Sequence, residues 1–473
     1  MKNNLKIISA IFLTTIMVSC NKFLSTKPYA YMPEDVAITN YDDAKYALTG
    51  IYDALQNYTY YGRDYIVYGD VYTDNIIISP NNSNRFLSEA QWTVTPSTGD
   101  MEYFWQRAYI AINRANNLLE YIDKLDATES QKAEVKGQAL AIRAMAHFDL
   151  VRFYAQTYKG NENSLGIPYM SKRIILEKPT RNTVAEVYTN VINDFNAAIE
   201  LLKGQSESLA PYRISYWSAK ALLARVYMTQ LDYDKAKTVL SDIVTNSGYK
   251  LLPNAEFAPA WGKPYDAALN TEFMFALNSR PDDYGQTSCL GYIFIQAGYG
   301  DLRVPESIKA LYTKSDVRNG WFMDGKGTQK GSIFVNKYPG RDATSGLSDS
   351  PVMRLSDVYL MYAEACVLGS SKNETTAIEY LDKVRRRADI NVVATTLTGQ
   401  ALIDAIALER RKELVYEGQY LFDLKRNHMD INSGLRSDNT LYTVVTYPDT
   451  RLAMPIPQSE IDANPNIKQN PGY

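Results

Sequence analysis

The sequence predicts a mainly α-helical fold, a stack of antiparallel helix pairs interrupted by a large loop-rich insertion. Three observations predict it. Tyr216 to Val244 reads as a helical hairpin, because Leu223, Ala224 and Tyr227, then Ala236, Leu240 and Ile243, recur at helical spacing around a turn at Leu231-Asp232-Tyr233. Amphipathic stretches of the same kind stand before and after it. Between Leu251 and Val352 the texture changes: Gly and Pro multiply and long periodic runs stop. Long irregular insertions in a compact chain are usually functional.

The hairpin resembles a tetratricopeptide unit, in which small residues such as Ala224 and Ala236 let two helices approach while Tyr227 and Tyr233 fill the gap beside them. One hairpin cannot bury its own apolar face, so stacked neighbours are required. The chain offers them. Tyr41 opens a helix to about Asn57, with Asp42 and Asp43 at the positive helix end. Tyr58 to Asn75, rich in Tyr and Gly without helical period, predicts a loop followed by a strand-like piece, and Ser79 to Arg85 a polar loop. Met101 to Leu125 predicts a helix with Trp105, Tyr109, Ile112, Asn116 and Leu119 on one face. Thr128 to Tyr158 predicts another, capped by Thr128 with Gln131 at the box position. Val184 to Lys203 precedes the hairpin. The insertion carries a short strand near Thr271 to Ala276. Helices resume at Arg354 to Leu368, Glu374 to Ala388 and Ala401 to Val415, and Pro455, Pro457, Pro465 and Pro471 keep the tail extended.

Lys2 and Lys6 precede an apolar run, Ile7 to Val18, which is a signal-peptide core too short to span a bilayer. Met17-Val18-Ser19-Cys20 follows and looks like a bacterial lipobox, making Cys20 the candidate lipidated N-terminus. The expected organisation is a leader at about 1–19 and one domain at about 20–473, with scaffold at about 40–250 and 353–427 and insertion at about 251–352. A net charge of -3 gives no basic field for nucleic acid. Cys289 and Cys366 are expected to be free and buried. The 37 Tyr against 14 Phe are unusual: an aromatic ring with a polar tip suits half-wet surfaces.

Ala407 to Gly418, ALERRKELVYEG, followed by Asp423-Leu424-Lys425-Arg426, resembles the C-terminal signature of the SusD/RagB family of outer-membrane lipoproteins. Cys20 to Leu24, Trp105 to Leu119, Arg143 to Tyr154, Gly298-Tyr299-Gly300-Asp301, Asp316-Val317-Arg318, Arg354 to Glu364, Pro455-Ile456-Pro457 and Asn470 to Tyr473 agree in order. The resemblance implies four tetratricopeptide-like pairs, a variable loop face for ligand, no enzymatic activity, no cofactor, and partnership with a SusC-like TonB-dependent outer-membrane transporter. It implies an oligosaccharide ligand. Peptide capture of the RagB type is the alternative, and a helical-barrel glycosidase a more distant one.

Residue chemistry agrees with a binding role. Glu409, Glu413 and Glu417 line one helix face at i, i+4 and i+8; with Arg410, Arg411 and Arg385 to Arg387 nearby they predict an ion-pair network rather than a glycosidase pair. His147 is expected to be a packed or surface histidine rather than a ligand, and two His without metal-ligand spacing give no metal site. Gly320 to Lys326 resembles a phosphate loop but has Gly327 where Ser or Thr is needed. Sugars stack apolar ring faces on aromatics while their hydroxyls seek polar side chains. Tyr60, Tyr61, Arg63 and Tyr65 combine both features, with Asn81, Asn84 and Arg85 beyond them. In the insertion Trp261, Tyr284, Tyr292 and Trp321 are the candidate platforms. Trp105 and Trp217 fall on scaffold faces.

Overall fold

The computed structural model describes residues 38–82, 84–173, 175–205, 211–265, 271–341 and 344–473. The leader, Cys20 and the segment after it lie outside the described residues. Among the described residues eight α-helices form the first half: α1 (Tyr41–Gln56), α2 (Asp64–Val71), α3 (Leu87–Gln91), α4 (Gly99–Tyr121), α5 (Glu129–Tyr154), α6 (Val184–Leu202), α7 (Tyr216–Thr229) and α8 (Tyr233–Asn246). The insertion holds α9 (Asn254–Ala260), α10 (Leu290–Phe294) and α11 (Glu306–Lys309). After it come α12 (Leu355–Leu368), α13 (Glu374–Ala388), α14 (Gly399–Leu414), α15 (Tyr420–Arg426) and α16 (Gln458–Ala463).

The scaffold helices start where their caps stand. Thr128 with Gln131 and Thr183 with Glu186 form reciprocal capping boxes at α5 and α6, and Ser215 with Ser218 does the same at α7. Asp232 accepts from the Lys235 amide and starts α8 directly after the predicted turn. Each scaffold helix packs on the next: α1 on α4, α4 on α5, then α6, α7 and α8 in turn. The stack then passes from α8 to α12, so the repeat continues across the insertion, and α12 packs on both α13 and α14.

The insertion is closed at its base by the antiparallel pair β2 (Phe273–Leu277) and β6 (Ser350–Arg354). A four-stranded sheet holds it to the first half: β1 (Ile77–Ile78) pairs with β3 (Leu302–Arg303), which continues through β5 (Ile333–Val335) to β4 (Phe322–Asp324). Beneath lies a buried ion network. Arg354 reaches Glu272 at 2.7 Å, Glu413 at 2.9 Å and Glu417 at 2.6 Å, and Arg318 reaches Glu409 at 2.7 Å and Glu413 at 3.0 Å. Arg387 binds Glu413 and Glu272, both at 2.5 Å. These arginines hold the Glu413 carboxyl far below the ordinary range despite its burial. The three carboxylates are thus structural, but they do not share one helix face as expected: Glu409 and Glu413 lie on α14, whereas Glu417 follows the helix end at Leu414. Arg387 alone of the expected counter-ions reaches them, since Arg410 pairs with Asp357 and Asp423, and Arg411 with Asp74.

Several expectations are corrected here. Tyr58 to Asn75 contains α2, with no strand before β1. All eight residues of α2 are buried, so no polar face exists to reveal its period. Tyr60, Tyr61 and Tyr65 are core side chains. Tyr60 and Tyr61 donate to Asp149 Oδ2 at 2.7 and 2.8 Å, Tyr65 bonds with Arg152, and that arginine pairs with Asp149 at 2.7 Å. An internal Asp-Arg pair satisfies the three hydroxyls, so the rings need no water. Trp261 and Trp321 are also interior, and flank the buried Lys337 ammonium at 4.4 and 3.7 Å from their ring centroids. Burial pushes Lys337 down to about 8, while Glu417 at 2.7 Å and the Val415 carbonyl at 2.8 Å accept its protons. His147 is buried, held down to about 3 by desolvation, and its Nε2 accepts from the Met170 amide at 3.0 Å. Cys289 and Cys366 are free and buried, as expected.

One glycine contact ties the C-terminal signature to α2. A Cβ on Gly69 would stand 2.2 Å from the Gly418 backbone, and Gly418 itself has φ +76°. Its amide donates to Asp70 at 3.2 Å.

Candidate functional site

The end of α1 and the loops of the insertion enclose a polar cleft of about 170 Å³. Asp53, Gln56, Asn57 and Tyr58 form one wall, and Asp283, Tyr284 and Cys289 belong to the other. The walls are fixed to each other: Gln56 Nε2 donates to the Asp283 carbonyl at 2.9 Å, and the Leu290 amide donates to the Gly62 carbonyl at 3.1 Å. Asn57 Oδ1 accepts from both the amide and the hydroxyl of Thr59, and this turn releases the chain from α1 with the Tyr58 ring outward. Tyr58 is 38% exposed. Arg63 is only 8% exposed, and its guanidinium lies 4.8 Å from the Tyr58 ring centroid rather than in the cleft.

The helix α10 connects this cleft to a second cluster. Cys289, just before it, faces the cleft, and Tyr292 within it meets Tyr299 edge to face at 5.1 Å. Tyr299 is 40% exposed, with the Arg85 guanidinium 3.8 Å from its centroid. Arg85 pairs with Asp301 at 3.0 Å, and Asn82 donates to the Arg85 carbonyl at 2.8 Å. The main chain joins the two loops through Ser79 N to Asp301 O at 2.8 Å, and Tyr299 N to Tyr292 O at 2.8 Å closes the insertion loop on itself. Asn81 and Asn84 stand exposed at the edge of this loop. Burial raises the Asp301 carboxyl against the opposing pull of Arg85.

The predicted residues therefore divide. Tyr284, Tyr292, Asn81, Asn84 and Arg85 stand at the surface around these two clusters. Tyr60, Tyr61, Arg63, Tyr65, Trp261 and Trp321 do not reach it. Sequence reasoning missed Tyr58 and Tyr299 as exposed rings; the signal for Tyr299 was its place between two glycines, and Tyr58 opens the tyrosine-rich stretch directly after a helix end. A separate groove of about 570 Å³ runs along α4, lined by Trp105, Tyr109, Ile110, Met170, Leu176 and Glu460. Among the described residues no group of three His, Cys, Asp or Glu is placed to hold a metal ion, and no helix is long and apolar enough to cross a membrane.

The architecture defines a class: a rigid helical-repeat body carrying a loop-built face of half-exposed aromatics and amides. The chain belongs to the SusD family. Its residues 278–473 match the family model described as SusD family, and residues 22–228 match one described as starch-binding associating with outer membrane. A solved structure titled a putative sugar binding protein from Bacteroides vulgatus is 33% identical, with 93% of this chain and 100% of that chain covered and a TM-score of 0.84. The SusD-like protein P25 of Formosa agariphila is 24% identical across 99% of both chains. The starch-binding protein SusD of Bacteroides thetaiotaomicron is 23% identical, covering 82% of this chain and 81% of that protein.

Proposed function

We propose that this protein is an outer-membrane lipoprotein, anchored through Cys20 and facing the cell exterior, that captures an oligosaccharide and delivers it to a SusC-like TonB-dependent transporter. The observation that carries the reading is the pairing of outward aromatic rings with fixed polar groups: Tyr58 and Tyr284 at the cleft, Tyr292 and Tyr299 beside Arg85 and Asn84. Rings take the apolar sugar faces, and the Asp, Asn and Gln side chains take hydroxyls. The family's sugar-binding and starch-binding members support the ligand class, and the description of the N-terminal match supports the location. No bond is broken in this role. Glu409, Glu413 and Glu417, the candidates for glycosidase chemistry, are buried and paired with Arg318, Arg354 and Lys337. A shallow site of this kind implies affinities of about -4 to -8 kcal/mol, millimolar to micromolar.

A glycan and peptide array on the chain beginning after Cys20 tests the reading, with Tyr58→Ala and Tyr299→Ala as variants. Binding to one glycan class that both variants weaken supports capture at this face. Binding to peptides alone replaces the ligand, and glycan binding untouched by either variant moves the site elsewhere, the α4 groove first. Transporter delivery is tested by co-purification with the barrel from outer membranes, which a capture protein working alone would not give.

A further inference from the structure

Arg63 stands behind the cleft wall. Its guanidinium is 4.8 Å from the Tyr58 ring centroid and 5.3 Å from that of Phe86, and its Nε donates to Asp64 Oδ1 at 2.6 Å. Asp64, the first residue of α2, is fully buried. Its Oδ2 has no hydrogen-bond partner within the protein, and the same holds for Oε1 of Glu89 on α3 and for the hydroxyl of Tyr68, one turn along α2 from Asp64. Three unsatisfied polar atoms on neighbouring elements are a rare concentration in a folded interior. Other charges meet there. Asp100, in the first turn of α4, acts on both Asp64 and Glu89, Tyr72 faces Glu89 and Asp100, and the Cys289 thiol lies in the field of Arg63.

We propose that Arg63 and Asp64 form a proton-controlled positioning pair that sets the Tyr58 ring at the mouth of the cleft. This rests on the capture reading of that cleft, and it gives Arg63 a role through Tyr58 rather than on the ligand. With Asp64 ionised, the guanidinium is held behind the ring, and Tyr58 has a fixed backing. When Asp64 takes one proton from solvent, Arg63 keeps its charge in a nearly closed site with no counter-charge at contact distance. Such a cation moves toward water and displaces the Tyr58 ring that it backs. Burial pushes both Asp64 and Glu89 up to about 7, which places the exchange near neutrality. Glu89 tunes it, since an ionised Glu89 disfavours charge on Asp64. Capture therefore strengthens as pH rises through about 7.

The test reads Tyr58 without any ligand. Hydroxyl-radical footprinting of the chain after Cys20, from about pH 5.5 to 8.5 and normalised to Tyr299, is expected to show Tyr58 oxidation falling about threefold or more across a midpoint near 7. Asp64→Asn removes the step and holds the rate at its low-pH value. Glu89→Gln keeps the step and moves its midpoint down by about half a unit or more. A flat wild-type profile overturns the pair, as does a step that survives Asp64→Asn. Where Asp64→Asn does not fold, a midpoint unmoved by Glu89→Gln overturns it. Maltoheptaose and laminarihexaose titrations at the two pH extremes are read separately: glycan binding without the Tyr58 step sinks the pair alone, and the step without any glycan binding on the full array sinks the capture reading alone.

Discussion

Tyr58 and Tyr60 stand two residues apart in one tyrosine-rich stretch and do opposite work. Tyr60 is fully buried and gives its hydroxyl to Asp149; Tyr58 is 38% exposed at the cleft mouth with a guanidinium behind its ring. Trp321 against Tyr299 repeats the contrast in the insertion, one ring closed over Lys337 and the other open over Arg85. Aromatic character does not separate members of either pair. What separates them is whether the interior already holds a group that needs an aromatic neighbour: the Asp149-Arg152 pair claims Tyr60, and the buried Lys337 claims Trp321. Tyr58 and Tyr299 each meet a guanidinium and still remain partly exposed, so they are the rings available to a ligand.

The comparison can be broken at its interior side first. Arg354→Met removes the one cation that joins Glu417 to Glu272 and Glu413, leaving Arg387 to bridge the last two, and should cost about 3–5 kcal/mol, seen as a large fall in the urea midpoint. Trp261→Ala should cost about 3–5 kcal/mol as well, because it opens a cavity over Lys337. Glycan binding that vanished in Trp261→Ala while the protein stayed as stable as the wild type would overturn its assignment to the core. On the outer side, Tyr299→Ala should move stability by less than about 1 kcal/mol and weaken glycan binding about tenfold. The opposite pattern would place Tyr299 among the structural rings.

A smaller effect sharpens the electrostatic side. Glu89 is pushed up to about 7 by burial, from an ordinary value near 4.5. Between those values the folded protein keeps a proton that the unfolded chain releases, so this group removes stability as pH rises through about 4.5 to 7. Glu89→Gln should therefore gain about 1–3 kcal/mol on the wild type at pH 8 and little at pH 4.5, measured by thermal melts at both values. The smallest effect is expected for Tyr61→Phe, which removes one of two tyrosine donors to Asp149: about 1 kcal/mol of stability, with glycan binding unchanged.

Much of the scaffold was legible because its helices are amphipathic and capped. The Thr128-Gln131 box, the Leu231 to Tyr233 turn and the 3.6-residue spacing in Tyr216 to Val244 are local signals, and the observed α5, α7 and α8 follow them. α2 was not legible, since a helix buried on all sides carries no period, and its tyrosines read as a wet loop. The candidate site was legible only in part. Tyr284, Tyr292, Asn81, Asn84 and Arg85 lie in polar loops whose exposure follows from their neighbours, whereas Tyr58 and Tyr299 needed the fold to show which way they face.

By itself the sequence determined the helical repeat, the paired state of Glu409, Glu413 and Glu417, and the family. These depend on spacing and residue type along the chain. The tertiary structure alone decided which aromatics are floor and which are rim, because that depends on partners distant in sequence: Asp149 for Tyr60 and Tyr61, Glu417 and Val415 for the Lys337 that Trp261 and Trp321 enclose, and Arg85 for Tyr299. A polar or charged group buried far away along the chain settles the fate of a ring, and no local pattern records it.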